Sequence, residues 1–129
     1  MIDLLQRRRT MMVMASGEPV YEYELLEKGS EVNGYINYAA SGIASDANAK
    51  TFIYDCSTYK YVKIVAADNK CIAPYARFVD SNNALIGSKI SYTGKAETEL
   101  EVPSGAVRFD VTDTYNSRSN QVTVYGKKG

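Results

Sequence analysis

The sequence has 129 residues, of which fifteen are acidic, fifteen are basic and none is histidine, so its formal net charge is zero. A chain of this length suits one domain, and its balanced charge provides no field that would attract nucleic acid or an anionic membrane. Without an imidazole, Ser-His-Asp and Cys-His triads and histidine metal sites are excluded. We therefore predict no enzymatic activity, no cofactor and no metal site, and neither nucleic acid nor a membrane as a partner.

Composition favours strands over helices. The chain contains eleven tyrosines and three phenylalanines together with many valines and threonines, and such side chains pack well on a pleated surface. No stretch of about eighteen apolar residues is present, so no membrane-spanning helix is predicted. The predicted fold class is all-β.

Residues 1–19 are predicted to form a helical leader, separate from a domain over residues 20–129. Asp3 and Gln6 fit a loose capping box, and apolar residues recur at helical spacing until Gly17. A helix of about three turns is marginal alone in water, so we expect a neighbouring chain to pack against it. Three arginines give little affinity for nucleic acid at physiological salt, so they should face solvent or a neighbour's carboxylates. The predicted partner-binding residues are Leu4, Leu5, Arg7, Arg8, Arg9, Met11 and Met12.

From residue 20 onward, short strand patterns alternate with turn residues. The predicted strands are 20–26, 32–38, 51–55, 61–66, 71–79, 84–88, 89–93, 98–102, 106–112 and 121–125. The polar stretch 39–50 is predicted to be a loop, either mobile or used for contacts. About eight or nine short antiparallel strands at this spacing predict a jelly-roll-like β-sandwich.

The clearest strand pattern lies in residues 106–112, where apolar and polar residues alternate. The apolar set is Val107, Phe109 and Val111, and the polar set is Arg108, Asp110 and Thr112. A period of two predicts a strand with one face in the core and the other face in water.

Two segments carry strong turn signals. Residues 80–83 (DSNN) suit a turn because Asp and Asn side chains bond their own backbone, although the same oxygens could also hold calcium. We favour the turn. Residues 103–105 (PSG) combine a fixed φ at proline with a glycine that permits positive φ, so they should direct the chain into the next strand.

Cysteines and carboxylates are the residues that could still carry chemistry. Cys56 and Cys71 could pair, but two cysteines are far too few for a disulfide-stapled scaffold, so we predict free, partly buried thiols. Paired carboxylates would serve a glycosidase. In a chain with so many turns, scattered aspartates are instead expected to form turns. The aspartates concerned are Asp55, Asp68, Asp80, Asp110 and Asp113.

Tyrosines near predicted turns are the candidates for a ligand site, because an exposed aromatic face can stack on a sugar ring. Most tyrosines in a strand-rich chain should instead pack in the core or on a sheet, with the hydroxyl reaching water. The candidates for weak surface contacts are Tyr59, Tyr61, Tyr92 and Tyr115.

Two segments, residues 75–87 (YARFVDSNNALIG) and 102–109 (VPSGAVRF), resemble a pattern in phage tail-fibre, baseplate and minor structural proteins. In those proteins an aromatic-Asp-Ser/Asn turn and a downstream strand entry belong to a jelly-roll sandwich similar to carbohydrate-binding modules. The resemblance covers roughly residues 50–125. The leader also resembles the short basic starts of phage structural proteins.

The resemblance implies a non-enzymatic structural protein of a phage virion, assembled in the cytoplasm of a bacterial host. Folds of this type are often displayed as homo-oligomers, including trimers, so the implied partners are further copies of the chain and other virion proteins. The alternative is a carbohydrate-binding module that attaches the particle to a host-surface glycan.

Overall fold

The computed structural model describes residues 11–13, 19–71, 73–92 and 96–129. In this part of the chain the protein is all-β, as predicted, and no helix is present that could span a membrane. The described strands are β1 Met11–Val13, β2 Pro19–Tyr21, β3 Glu24–Leu25, β4 Glu31–Val32, β5 Gly34–Ile36, β6 Ile43–Ser45, β7 Lys50–Asp55, β8 Tyr61–Ala66, β9 Tyr75–Val79, β10 Leu85–Ser91, β11 Glu97–Glu101, β12 Arg108–Tyr115, β13 Arg118–Ser119 and β14 Val122–Lys127.

Two antiparallel sheets enclose the core in a sandwich-like arrangement. The six-stranded sheet has the order β10-β9-β12-β7-β4, with β13 paired to β12, and the four-stranded sheet has the order β11-β8-β14-β3. Their facing sides meet in one cluster, to which Tyr54 and Phe109 contribute from the first sheet and Ile64 and Val124 from the second. The phenyl rings of Phe109 and Phe78 stack at 4.7 Å between centroids. Burial of these side chains is the main stabilising term of such a fold.

The strands of the four-stranded sheet lie close to their predicted positions. Strand β8 spans the predicted residues 61–66, and every second residue along β8 and β14 is buried. Strand β11 forms one edge of this sheet and turns three glutamates, Glu97, Glu99 and Glu101, to solvent. The alternation therefore places one face of this sheet in the core, while the other carries the exposed glutamates.

Strand β12 differs from the prediction, because both of its faces are buried from Phe109 to Asp113. The predicted wet face is covered by a two-stranded ribbon of β5 and β6, which we call the β5–β6 ribbon. Its Ile36 amide donates to Thr112 Oγ1 at 3.0 Å, and Thr51 Oγ1 donates to the Gly34 carbonyl at 2.8 Å. Threonine hydroxyls thus bind the ribbon to the sheet. The alternation of apolar and polar residues within β12 could not predict that the ribbon covers this face.

The β5–β6 ribbon also corrects the predicted loop over residues 39–50. Residues 43–45 form β6, which pairs with β5 in the register Gly34↔Ser45 and Ile36↔Ile43. The segment IAS has little strand propensity of its own, so pairing with β5 determines its conformation. The connection between the two strands and residues 46–49 remain irregular, and within the connection Ala40 has a φ of 57°.

Other strand limits differ in detail. The predicted strands 84–88 and 89–93 are one strand, β10, whose register against β9 shifts between Ile86 and Ile90. Gly87 lies in this irregular part with a φ of 76°, which glycine adopts without a steric penalty. We call residues 87–89 the β10 bulge. The predicted strands 20–26 and 32–38 are each divided in two, as β2 and β3 and as β4 and β5.

The helix predicted in the leader is wrong for Met11 and Met12. Both lie in β1, which pairs antiparallel with β2 in the register Met12↔Val20. A short helix carries a high nucleation cost, and backbone pairing with β2 offers these residues another way to satisfy their hydrogen bonds. The other predicted partner-binding residues lie outside the described residues. They are Leu4, Leu5, Arg7, Arg8 and Arg9.

The predicted turns over residues 80–83 and 103–105 are confirmed. Asp80 Oδ1 accepts the amides of Asn82 at 2.8 Å and Ala84 at 3.0 Å, which is an Asx-type turn. The Ala106 amide donates to the Pro103 carbonyl at 3.1 Å, with Gly105 at a φ of 86°.

The two cysteines are free and buried, as predicted. Burial raises the pKa of the Cys56 thiol to about 11, and it also raises the pKa of Cys71. Both thiols are therefore protonated at neutral pH and behave as small apolar core residues.

Candidate ligand-binding groove

A groove of about 250 Å³ lies between the β5–β6 ribbon and the six-stranded sheet, and we call it the tyrosine groove. Its lining residues are Tyr35, Ile36, Tyr38, Ala73, Tyr75, Lys89 and Tyr115. Four of the seven are tyrosines, which come from three separate segments of the chain, residues 35–38, residue 75 and residue 115. Among the described residues, this concentration of aromatic side chains around a concave surface is the strongest sign of a ligand site.

The β5–β6 ribbon supplies one wall of the groove. Tyr35 lies in β5 beside Ile36, whose side chain is buried and whose amide is held by Thr112. Tyr38 follows in the connection to β6, where Asn37 Oδ1 accepts the Ser41 amide at 3.0 Å. The Asn37 amide in turn donates to the Gly42 carbonyl at 3.0 Å. These hydrogen bonds define the path of the connection that carries Tyr38.

A buried ion pair between Arg77 and Asp110 connects the β5–β6 ribbon to the six-stranded sheet. Arg77 Nε donates to Asp110 Oδ2 at 2.8 Å, and Arg77 Nη1 donates to the Ala40 carbonyl at 2.8 Å. The Asp110 side chain has no exposed surface, and that of Arg77 is only 4% exposed. Arg108 Nε also donates to Asp110, at 2.9 Å. Because Ala40 follows Tyr38 by two residues, this cluster ties the groove wall to the sheet.

The sheet supplies the other wall. Tyr75 is the first residue of β9, Tyr115 is the last residue of β12, and Lys89 lies in the β10 bulge. The rings of Tyr35 and Tyr115 pack edge to face, with 5.0 Å between centroids and an interplanar angle of 89°. Lys89 Nζ lies 4.0 Å from the Tyr75 centroid and 4.7 Å from the Tyr38 centroid.

Tyr38 is the most informative residue of the groove because 93% of its surface is exposed. A large aromatic side chain left in water gains nothing for the fold, so an exposed tyrosine beside other tyrosines indicates a contact surface. The groove can therefore offer aromatic faces, phenolic hydroxyls and one ammonium group to a ligand. These groups suit the binding of a ligand that has both apolar and polar surfaces.

The sequence-predicted aspartates do not contribute to this groove. Asp55 Oδ1 accepts the Ser57 amide at 2.9 Å, and Asp68 Oδ1 accepts the Asn69 amide at 2.8 Å. Asp110 is the counter-ion of Arg77, and Asp113 Oδ1 accepts the Val122 amide at 3.0 Å. Within the described part of the chain, no three Cys, Asp or Glu side chains come together as metal ligands would.

Of the four tyrosines predicted for surface contacts, Tyr115 lines the groove, whereas Tyr92 is fully buried. The Tyr92 hydroxyl donates to the Thr112 carbonyl at 2.5 Å and accepts from Asn120 Nδ2 at 3.3 Å. Tyr92 is therefore a core residue with internal partners, and its prediction as a surface contact is wrong. Its position at a predicted strand end gave no sign of this burial.

Tyr59 and Tyr61 lie away from the groove. The Tyr59 ring covers Gly126, where an added Cβ would lie 2.6 Å from Tyr59 Cδ1, and its hydroxyl donates to Glu24. Burial raises the pKa of the Tyr59 hydroxyl. Tyr61 is half-buried in β8, with Lys127 Nζ 4.8 Å from its centroid. Neither residue is among those that line the tyrosine groove.

Sequence reasoning missed Tyr35, Tyr38, Tyr75 and Lys89. The first three lie in predicted strands, where a tyrosine is expected to pack on the sheet. Tyr38 borders the polar stretch 39–50, and an aromatic residue next to a predicted contact loop was a usable signal. The gathering of residues 35, 75, 89 and 115 depends on strand pairing between distant segments.

No family model matches the chain, and no curated protein or solved structure is significantly similar to it. The binding role is therefore inferred from the sandwich-like fold and the tyrosine groove.

Proposed function

We propose that this chain is a non-enzymatic structural module of a phage virion and that it binds a host-surface glycan in the tyrosine groove. The single observation that carries the binding role is the exposed Tyr38 beside Tyr35, Tyr75 and Tyr115 in one concave surface. Support for the phage assignment is the resemblance of residues 75–87 and 102–109 to phage structural proteins. With that resemblance we also propose a jelly-roll connection of the sheets and a virion location after assembly in the host cytoplasm.

A sugar fits the chemistry of the groove better than a fully apolar ligand. The C–H face of a pyranose stacks on an aromatic ring, while its hydroxyls need hydrogen-bond partners that phenolic oxygens provide. The volume of about 250 Å³ is below the roughly 300–1,000 Å³ typical of sites for drug-sized ligands, which suits one or two sugar rings. The groove is open to solvent at Tyr38, so a longer glycan chain can extend beyond it.

Replacing Tyr38 with alanine should weaken glycan binding by about tenfold or more, because central aromatic contacts carry much of the binding energy in recognition sites. A Tyr38 side chain that is 93% exposed contributes little to folding, so the variant should unfold at the same temperature as the parent. A glycan array should first identify the ligand, and calorimetric titration should then measure the affinity of both proteins.

Tyr61→Ala is the matched control, since Tyr61 lies on the other sheet and also carries a lysine over its ring. Equal loss of affinity in both variants would contradict a site at the groove. An array on which the parent protein binds nothing, with or without calcium, would remove the glycan-binding role.

A second candidate function is assembly into a homo-oligomer, or docking on other virion proteins, through the leader. Strands β1 and β2 pair with each other and with no other described strand. A two-stranded sheet alone is marginally stable in water, which favours an additional chain packing there.

Deleting residues 1–17 should therefore reduce the oligomeric state measured by light scattering and prevent incorporation into particles. The domain over residues 20–129 should retain its unfolding temperature, because its two main sheets exclude β1. An unchanged mass together with unchanged incorporation would refute a role of the leader in assembly. Detecting the protein in purified virions by mass spectrometry tests the virion assignment itself.

A further inference from the structure

We infer that the sugar bound in the tyrosine groove is acidic and that Lys89 binds its carboxylate. This inference rests on the proposed glycan-binding function and names the class of glycan. Lys89 is the only charged residue among the seven that line the groove. A ligand that enters the groove therefore meets a single positive charge and no lining carboxylate.

Lys89 has no carboxylate partner among the described residues. The four ion pairs found there involve Lys50, Lys70, Arg77 and Arg108. Lys89 instead has its ammonium over the rings of Tyr75 and Tyr38. Aromatic faces attract a cation, but they do not provide the hydrogen-bond acceptors that three N–H donors require. Lys89 thus keeps its donors available for an anionic group of a ligand.

The β10 bulge provides a second, independent observation. The register pairs Ile86 with Phe78 and Ile90 with Ala76, so four steps along β10 match two steps along β9. The inserted residues depart from the regular ladder, and Lys89 is one of them. Bulges of this kind redirect side chains and are common beside binding sites. Here the redirected side chain reaches the rings of two groove residues.

The arrangement of rings and charge matches an acidic sugar, such as a hexuronic acid. Its ring can stack on a tyrosine while its carboxylate accepts a charge-assisted hydrogen bond from the Lys89 ammonium, which is stronger than a neutral one. A neutral sugar can use the same rings but leaves the ammonium without a counter-charge. Binding should therefore discriminate between a glycan and its uncharged counterpart.

A pair of ligands with and without the carboxylate charge tests whether that charge contributes to binding. Hexuronate-containing oligosaccharides and their methyl esters, which differ in charge but share the sugar ring, should be compared on an array and then by calorimetric titration. The parent protein should bind the acid at least about tenfold more tightly than the ester, the gain expected for a hydrogen bond to a charged group. Raising the ionic strength should reduce this preference.

Lys89→Met removes the charge and keeps an unbranched side chain between the two rings, so it should bind acid and ester with similar affinity. Lys89→Arg should retain the preference for the acid. Lys63→Met is the matched control. Lys63 lies in β8 of the other sheet, and its Nζ is 4.5 Å from the Tyr23 centroid. This variant should leave the preference for the acid unchanged. The unfolding temperature of each variant shows whether the fold is intact.

The outcomes separate this inference from the proposed function. Equal binding of acid and ester by the parent protein would overturn the inference and leave glycan binding in place. A preference for the acid that persists in Lys89→Met would also overturn it, by removing Lys89 from the recognition. Binding of neither ligand class, on an array that includes neutral glycans, would overturn the proposed function and this inference together.

Discussion

Asp110→Asn should lower the free energy of unfolding by about 3–5 kcal/mol, the cost of leaving a buried charge without its partner. The replacement keeps the size of the side chain, so it creates no large cavity. It removes the charge that compensates Arg77, whose side chain is 4% exposed. Urea unfolding followed by tyrosine fluorescence measures the effect, since the chain contains no tryptophan.

The exposed ion pair of Lys50 and Glu31 supplies the control. Its two side chains are 48% and 46% exposed, and their N···O distance is 3.4 Å. Glu31→Gln should change the free energy of unfolding by less than about 1 kcal/mol, since water and salt screen such pairs. A similar small change in Asp110→Asn would mean that the buried cluster contributes little, contrary to its geometry.

Asp110→Asn should also weaken the proposed glycan binding, although Asp110 does not line the groove. Without its counter-ion, Arg77 loses the partner that holds it below the Ala40 carbonyl. The connection that carries Tyr38 then loses one of its supports. Binding measured under conditions where the variant is still folded separates this effect from unfolding.

Gly34→Ala is expected to lower the free energy of unfolding by about 2–3 kcal/mol, near the upper part of the range for overpacked sites. A Cβ added at Gly34 would lie 2.4 Å from the Ala44 carbonyl oxygen and 2.8 Å from Ile43 Cγ2. The first of these atoms belongs to the backbone of β6, so it can move only if the two strands separate. Chemical unfolding curves of the variant and the parent measure the difference.

Gly42→Ala is the control, because it makes the same substitution in the connection between β5 and β6. The nearest atom to its added Cβ is Asn37 Nδ2 at 3.7 Å, an ordinary contact. This variant should keep the stability of the parent within about 0.5 kcal/mol. Because Tyr35 follows Gly34 directly, Gly34→Ala should also reduce the proposed glycan binding, whereas Gly42→Ala should not. Equal effects of the two variants would show that strand separation is not the cause.

The parts of the fold that were predictable from the sequence depend on neighbouring residues. Residues 61–66 (YVKIVA) are rich in branched and aromatic side chains, and their strand was predicted with its correct limits. The turn at Asp80 was also predictable, because an aspartate side chain in a segment such as DSNN bonds its own backbone.

The parts that were not predictable depend on pairing between distant segments. Strand β6 has a weak strand sequence, and β5 determines its conformation. Asp110 is buried because Arg77, 33 residues away, neutralises it, and alternation alone placed it in water. The tyrosine groove combines residues from four distant segments, so only the strand order brings them together.

The edge strands of the two main sheets affect how copies of the chain can associate. An open strand edge is a template for pairing with another chain, and proteins block such edges with charge, bulges or short strands. Here β11 presents three glutamates, β10 contains a bulge, and β3 and β4 have two residues each. These four strands therefore offer little template for edge-to-edge aggregation. At these four edges, copies of the chain held at high local density are expected to meet through side-chain surfaces rather than through strand pairing.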